Sequence, residues 1–336
     1  MPDSSLAVLI VIVFLAIGFG LVNGFNDAAN AIATVIGTRV LSPRNAILIA
    51  AAANLAGALT GLEVAKTIGK GILVPDAISN ITVIAALASV IVWGSIATYL
   101  GLPVSITHGF VAGLAAAGIA LVGTEAVVWG KIAQVGSSVA IAPVMGFIGG
   151  FTLMVALLWL LRSVAPDRIQ STFGRLQWFT AAFMAYSHGK NDGQMPIGVI
   201  TMGLVVYSGN TDLWNNVPFW IIIVSALAIS TGTAVGGWRV IKTLGTRVTL
   251  LRPVNGFAAE ASAATVIEVA SHFGIPVSTT HCISASIMGV GATRRLSAVR
   301  WGVAGNIVTA WILTFPICGV LGYLFAKLLQ LIFGSG

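Results

Sequence analysis

One segment of this chain occurs twice. Gly101-Leu-Pro-Val-Ser-Ile-Thr-His108 returns 173 residues later as Gly274-Ile-Pro-Val-Ser-Thr-Thr-His281. Asn26-Asp27 likewise returns as Asn191-Asp192, Lys66-Thr-Ile-Gly69 as Lys242-Thr-Leu-Gly245, and Trp129-Gly130 as Trp301-Gly302. The series Pro143, Gly146, Gly149 returns as Pro316, Gly319, Gly322. Matches kept in one order across nearly the whole of each half exceed what chance resemblance between apolar stretches produces. The chain therefore reads as a duplication. Residues 1–165 form the first repeat and 176–336 the second, joined by a short polar linker at 166–175. The linker reading rests on Pro166, Asp167 and the arginines at 162, 168 and 175.

The solvent follows from what lies between the motifs. Apolar stretches run over 6–19, 46–62, 81–100, 146–161, 219–234 and 315–333. They approach the roughly 17–25 residues that a helix needs to cross a bilayer. Charged residues make up 8% of the chain, against about 25% in an ordinary soluble domain. A backbone in lipid must satisfy its own polar groups, so such stretches fold as helices. The expected class is an all-α polytopic membrane protein. The net charge of +7 is scattered over short loops, which fits membrane topology and not a nucleic-acid partner. No basic residue precedes the first stretch and no small-x-small site follows it, so it reads as a span and not as a cleaved signal. Cys282 and Cys318 lie in apolar segments and read as small core residues.

If 104–122 and 277–292 are re-entrant helical hairpins, each half has three spans before its hairpin and two after it. Five crossings per half is an odd number. It inverts the second repeat relative to the first, a common plan among secondary transporters. An extracytoplasmic N-terminus places Arg39, Arg44, Arg162, Arg168, Arg175, Arg239, Lys242, Arg247 and Arg252 on the cytoplasmic side, as basic loop residues prefer. Lys66, Lys70, Arg294, Arg295 and Arg300 then fall outside. The expected location is the cytoplasmic membrane, crossed many times.

Asp27 and Asp192 carry the strongest chemical signal. A carboxylate at membrane depth costs about 2.5 kcal/mol or more, so it faces a cavity or a partner. Two carboxylates at matching repeat positions converge on the repeat interface. With Asn26 and Asn191 they suit a hard cation or a proton relay, and Asn30 and Gln194 add neutral polar groups beside them. In the Gly-x-Pro-Val-Ser-x-Thr-His segments, glycine ends one helix and Ser105 or Ser278 caps the next. The small residues that follow allow tight packing. A helix N-terminus inside the membrane offers free N–H groups and partial positive charge to an oxyanion. Two such ends, with Ser105, Thr107, Ser278, Thr279 and Thr280, would hold one anion without an arginine. His108 and His281 serve packing as readily as proton transfer. Lys190 has no counterpart in the first repeat, where Phe25 stands. Glu260 faces the interface or a cavity, and Glu268 lies deeper and needs a partner.

At these residues the chain resembles the inorganic phosphate transporter (PiT) family. Gly24-Phe-Asn-Asp-Ala-Ala-Asn-Ala31 resembles its first signature and Ser187-His-Gly-Lys-Asn-Asp-Gly-Gln194 its second. Gly256-Phe-Ala-Ala-Glu260 and the two Pro-Val-Ser-x-Thr-His segments match as well. The resemblance spans essentially the whole chain. It implies an inverted-repeat fold with paired re-entrant helices, commonly a homodimer. It further implies symport of phosphate with H⁺ or Na⁺ and no other cofactor. The family's cation and substrate roles transfer to Asn26, Asp27, Asn191 and Asp192. Anion binding transfers to Ser105, Thr107, Ser278, Thr279 and Thr280, with Asn30 and Gln194 beside them. Met195 stands where many bacterial members carry lysine, and Glu268 is unusual for its helix. A sulfate permease of the same fold is the alternative cargo. An intramembrane enzyme acting on phosphorylated lipid lacks any catalytic signature.

Overall fold

The computed structural model describes residues 5–334, and every named element among them is helical. The first half contains α1 (Leu6–Gly37), α2 (Pro43–Ala58), α3 (Glu63–Gly71), α4 (Asn80–Leu100), α5 (Ile106–Leu121) and α6 (Trp129–Leu160). The second contains α7 (Pro166–Asp192), α8 (Gln194–Ser208), α9 (Phe219–Val235), α10 (Trp238–Lys242), α11 (Pro253–His272), α12 (Thr279–Ala292) and α13 (Trp301–Phe333). Polar residues start several of them. Ser5, Ser42, Ser105 and Ser278 each accept a backbone N–H of the turn that follows, and Ser79 forms a capping box with Thr82. Residues 166–175 are helical and make up the first turns of α7.

Four helices, α1, α4, α6 and α13, are long and apolar enough to cross a membrane. Two bent pairs reach the same standard together. α2 and α3 meet at 73°, and α9 meets the segment Trp238–Arg247 at 60°. These breaks fall at matching places of the duplication, since α3 carries Lys66-Thr-Ile-Gly69 and the second bent segment carries Lys242-Thr-Leu-Gly245. α6 and α13 each carry an internal proline, Pro143 and Pro316. α1 runs unbroken through Asp27, whereas its counterpart is interrupted at Gly193 into α7 and α8.

The hairpins differ from expectation. Segments 104–122 and 277–292 each hold a single helix, α5 and α12, and the hairpins are α4–α5 and α11–α12. The turn between the arms is the Gly-x-Pro-Val-Ser segment. Gly101 and Gly274 have φ of 73° and 64°, left-handed values that favour glycine, and each closes its first arm. At the other end of the first hairpin Ala85 packs with Ala117 and Ala120, so the arms lie side by side. One long helix follows each hairpin, not the two that five crossings require. The second hairpin also revises the loop charges. Arg300 donates its backbone N–H to Val248 O at 2.9 Å and its guanidinium to the carbonyl of Arg247. Arg294, Arg295 and Arg300 therefore lie on the same side as Arg247 and Arg252, not opposite them. The Lys70 side chain lies outside the described residues.

Packing between halves is reciprocal. α6 lies along α12 and α13 along α5, while α1 lies along α9 and α7 along α2. Glycine permits the first two approaches. A Cβ on Gly146 would run into the backbone of Cys282, and one on Gly322 into the backbone of Gly113. Both large hydrophobic clusters draw on both halves. The repeats interlock at the hairpin tips, and the site lies there.

Candidate functional site

Each hairpin tip is pinned from two directions by symmetry-related residues. Asn26 Nδ2 donates to Thr98 Oγ1 at 2.6 Å and to the Leu102 carbonyl at 3.4 Å, and its Oδ1 accepts Val104 N–H at 3.3 Å. Asn191 Nδ2 donates to Ser271 Oγ at 2.8 Å and to the Ile275 carbonyl at 3.5 Å. From the opposite half, Trp311 Nε1 donates to the Pro103 carbonyl at 3.1 Å, and Ser138 Oγ approaches the Pro276 carbonyl at 3.4 Å. Trp311 thereby supplies the Pro103 carbonyl with a donor, whereas the Ser138 hydroxyl gives its proton to the Val135 carbonyl at 2.7 Å and lies against Pro276. The two asparagines therefore hold the tips in place.

So anchored, the N-termini of α5 and α12 meet the two aspartates. Ser105 Oγ accepts His108 N–H at 3.3 Å and Ser278 Oγ accepts His281 N–H at 3.1 Å. Thr280 donates to Asp27 Oδ1 at 2.6 Å and accepts from Asn30 Nδ2 at 2.5 Å. Thr107 donates to Asp192 Oδ1 at 2.9 Å and Thr279 to Asp192 Oδ2 at 2.7 Å. Each carboxylate is thus bonded to the hairpin of the other half, and all these side chains are buried. Asn30 Oδ1 and Asn191 Oδ1 are buried without a protein partner. They leave acceptors in the centre that suit a cation.

A histidine lies beside the two aspartates. His188 Nε2 lies 3.2 Å from Asp192 Oδ2, and single atoms of Asp27, His188 and Asp192 all lie within 4.8 Å of one another. The protons on His188 can be traced. Thr233 donates to the Ile229 carbonyl, so it accepts from Asn54 Nδ2 at 3.0 Å. Asn54 Oδ1 then faces His188 Nδ1 at 2.7 Å, which makes Nδ1 the ring's N–H. A neutral His188 turns the lone pair of Nε2 toward a carboxylate. Two acceptors at that distance repel, so the pair calls for a shared proton or a cation.

The remaining polar residues divide clearly. Gln194 Oε1 accepts the N–H groups of Val64 and Ala65 at 2.9 and 3.1 Å. It thereby finishes the first turn of α3, whose own cap position, Leu62, has no side-chain bond. Its hydrogen bonds go to Val64, Ala65 and Lys190 and not to the aspartates. His108 and His281 pack ring to ring at 5.2 Å, backed by Phe315 and Trp311. Glu260 is buried among three donors, Thr34 at 2.5 Å, Thr180 at 2.5 Å and Gln177 at 3.0 Å. Glu268 forms an ion pair with Lys190. That lysine borders a cavity of about 230 Å³ with Thr60, Glu63, Gln194 and Ser271. Ser271 is the residue that holds Asn191, so the cavity reaches the edge of the site.

Sequence reasoning missed His188, Asn54, Thr98, Ser271, Ser138 and Trp311. Two signals were present. Thr98 and Ser271 stand 173 residues apart, the spacing of the hairpin motif itself, and His188 precedes Asp192 by four residues, one helical turn.

The profile of the phosphate transporter family matches residues 23–322. A Rhizobium meliloti protein, "Probable low-affinity inorganic phosphate transporter", is 40% identical over 96% of this chain and 97% of its own length. A Bacillus subtilis protein of the same description is 39% identical over 98% of this chain and 100% of its own length. A solved structure, "The sodium-dependent phosphate transporter", superposes with a TM-score of 0.89. It is 26% identical and covers 97% of this chain and 100% of its own.

Proposed function

Because the chain belongs to the phosphate transporter family, we propose that it is a cation-coupled symporter of inorganic phosphate working by alternating access. It is a transporter and not an enzyme. Its place is the cytoplasmic membrane, and Na⁺ or H⁺ is the coupling ion. The sodium-dependent structural neighbour supports sodium. One observation carries the mechanism: the hydroxyls suited to hold an oxyanion are the ones bonded to the carboxylates.

Thr107, Thr279 and Thr280 each have one proton to donate, and here they give it to Asp192 or Asp27. Phosphate accepts from the same hydroxyls, from the capping serines Ser105 and Ser278, and from the N–H groups at the starts of α5 and α12. A cation at Asp27 and Asp192 offsets their charge and frees those protons. Cation binding thus prepares the anion site, and phosphate binding favours the cation in return, as linkage requires. Asn30 Oδ1 and Asn191 Oδ1 are available to complete the cation shell. Asn26 acts on it by fixing the first tip, and Gln194 by fixing α3 at the rim.

The architecture fits this cycle. Each half is taken to cross the membrane three times, through α1, α2–α3 and α6 and through α7–α8, α9–α10 and α13. A re-entrant hairpin is inserted in each. Three is odd, so the repeats are inverted and the two tips meet near mid-membrane. The repeats occupy 1–165 and 176–336, joined by the polar first turns of α7. With Arg294, Arg295 and Arg300 moved to the side of Arg252, nearly all the arginines gather on one side. That side is cytoplasmic and the N-terminus extracytoplasmic. The functional unit is a homodimer, as the family resemblance implies.

The test is uptake of labelled phosphate by the purified protein in liposomes, under imposed Na⁺ or H⁺ gradients, with unlabelled phosphate or sulfate as competitor. Accumulation driven by one gradient and blocked by phosphate in preference to sulfate is the expected result. No uptake under either gradient would refute symport, and preferential block by sulfate would refute the cargo.

A further inference from the structure

Away from the transport site, a cavity of about 670 Å³ lies between the end of α6, the start of α7 and the base of the α11–α12 hairpin. Arg162, Arg252, Arg294, Arg295 and Arg300 line it, and no aspartate or glutamate does. Among the described residues none of these five arginines pairs with a carboxylate. The preference of loops for basic residues explains charge on this side. It does not explain convergence from three separate segments on one cavity, where like charges repel unless an anion joins them.

The rest of the wall specifies the anion. Leu157, Leu158, Leu161 and Leu250 form an apolar side. That side continues into the flank of α6, where Leu158 is 51% and Leu160 63% exposed. Such a flank faces acyl chains. Arg162 lies over the ring of Trp159 at 5.3 Å, the pairing of aromatic and cation typical of the membrane–water boundary. Ser297 and Asn255 add neutral polar groups to the wall.

We propose that this cavity binds the head group of an anionic glycerophospholipid. The phosphodiester would lie among the arginines, the head-group hydroxyls on Ser297 and Asn255, and the acyl chains along the leucines of α6. Basic pockets between membrane helices bind anionic lipid in this way. A soluble phosphate ester shares the charge but has no use for the apolar wall. Bound lipid would join the last helix of the first half to the hairpin base of the second.

The test measures thermal unfolding of the purified full chain in neutral detergent, with phosphatidylglycerol, phosphatidylcholine or glycerophosphoglycerol added. A near-saturating ligand is expected to raise the midpoint by about 4 °C, with phosphatidylglycerol alone doing so. The exposed changes Arg294→Gln and Arg295→Gln, made together, and Arg162→Gln made separately, should each reduce that rise by half or more. Native mass spectrometry should show correspondingly fewer retained phosphatidylglycerol molecules. An equal rise in wild type and both variants would overturn the site. An equal rise with phosphatidylcholine would overturn charge recognition, and one with glycerophosphoglycerol would make it a site for soluble phosphate esters.

Discussion

Replacing Thr279 by valine preserves the shape of the side chain at the start of α12 and removes one hydroxyl. That hydroxyl donates to Asp192 Oδ2 at 2.7 Å, and His188 Nε2 remains 3.2 Å from the same oxygen. If it serves the carboxylate and the phosphate in alternation, its loss acts on the two ligands in opposite directions. Phosphate loses a hydrogen bond to a charged group, worth about 1.5–3 kcal/mol, so its half-saturating concentration should rise about 10- to 150-fold. The cation no longer competes with the hydroxyl for the Asp192 oxygen. A bond to a charged group of the same size, about 1.5–3 kcal/mol, is removed from the cation-free state, so half-saturation by cation should fall about 10- to 150-fold. Thr107→Val tests the other oxygen of Asp192 from the opposite hairpin and should give the same pair of signs. The assays are initial uptake in liposomes, titrating phosphate at saturating cation, and equilibrium cation binding to the purified protein without phosphate. If both affinities fall together, the hydroxyls only hold the tips in place and the alternation is wrong.

Asp27→Asn and Asp192→Asn should each abolish cation-driven accumulation while the folded protein is still recovered on size exclusion. Normal concentrative uptake by either variant would make its carboxylate structural. Ser105→Ala and Ser278→Ala should cost about 1 kcal/mol of stability each as lost caps and also raise half-saturating phosphate. Gln194→Ala should lower the unfolding midpoint by uncapping α3 and leave phosphate affinity within about 2-fold, since a group not bonded to the aspartates contributes little to binding. Lys190→Ala should weaken phosphate capture and Glu268→Gln should strengthen it by freeing the lysine toward the cavity. Movement of both in one direction would reduce the ion pair to a packing element.

The duplication was legible because its motifs are near-identical and keep their order, and the chemistry of the Asp pair followed from its repetition. The same reasoning concealed His188. Its counterpart in the first repeat is Asn23, so a search for residues present in both halves passes over it. The hairpins begin one arm earlier than hydropathy indicates, for a different reason. Residues 80–100 are as apolar as α6 and more so than α13, and hydropathy does not distinguish a helix that crosses from one that turns back. What does distinguish them is the turn at Gly101, whose left-handed φ closes α4 and leads directly into α5. Starting the hairpins one arm later separates Arg294, Arg295 and Arg300 from Arg247, beside which the structure places Arg300. Asn26 and Asn191 show a further limit. Composition marks them as cation ligands, but only the fold reveals that their amides are largely committed to the hairpin backbones.

The reciprocal packing of α5 with α13 and of α12 with α6 has a consequence for how the protein is made. α5 leaves the ribosome about 180 residues before α13, a wait of roughly 10–40 s at ordinary elongation rates. Throughout that interval the first hairpin has its glycine-lined face and the Pro103 carbonyl without their final partners, and Thr107 waits for Asp192. The nascent first half is therefore an unfinished surface in the membrane, dependent on lipid or an insertion factor to shield it. Two halves translated from separate messages should assemble only when produced together, each completing the other as α13 and α6 slide into place.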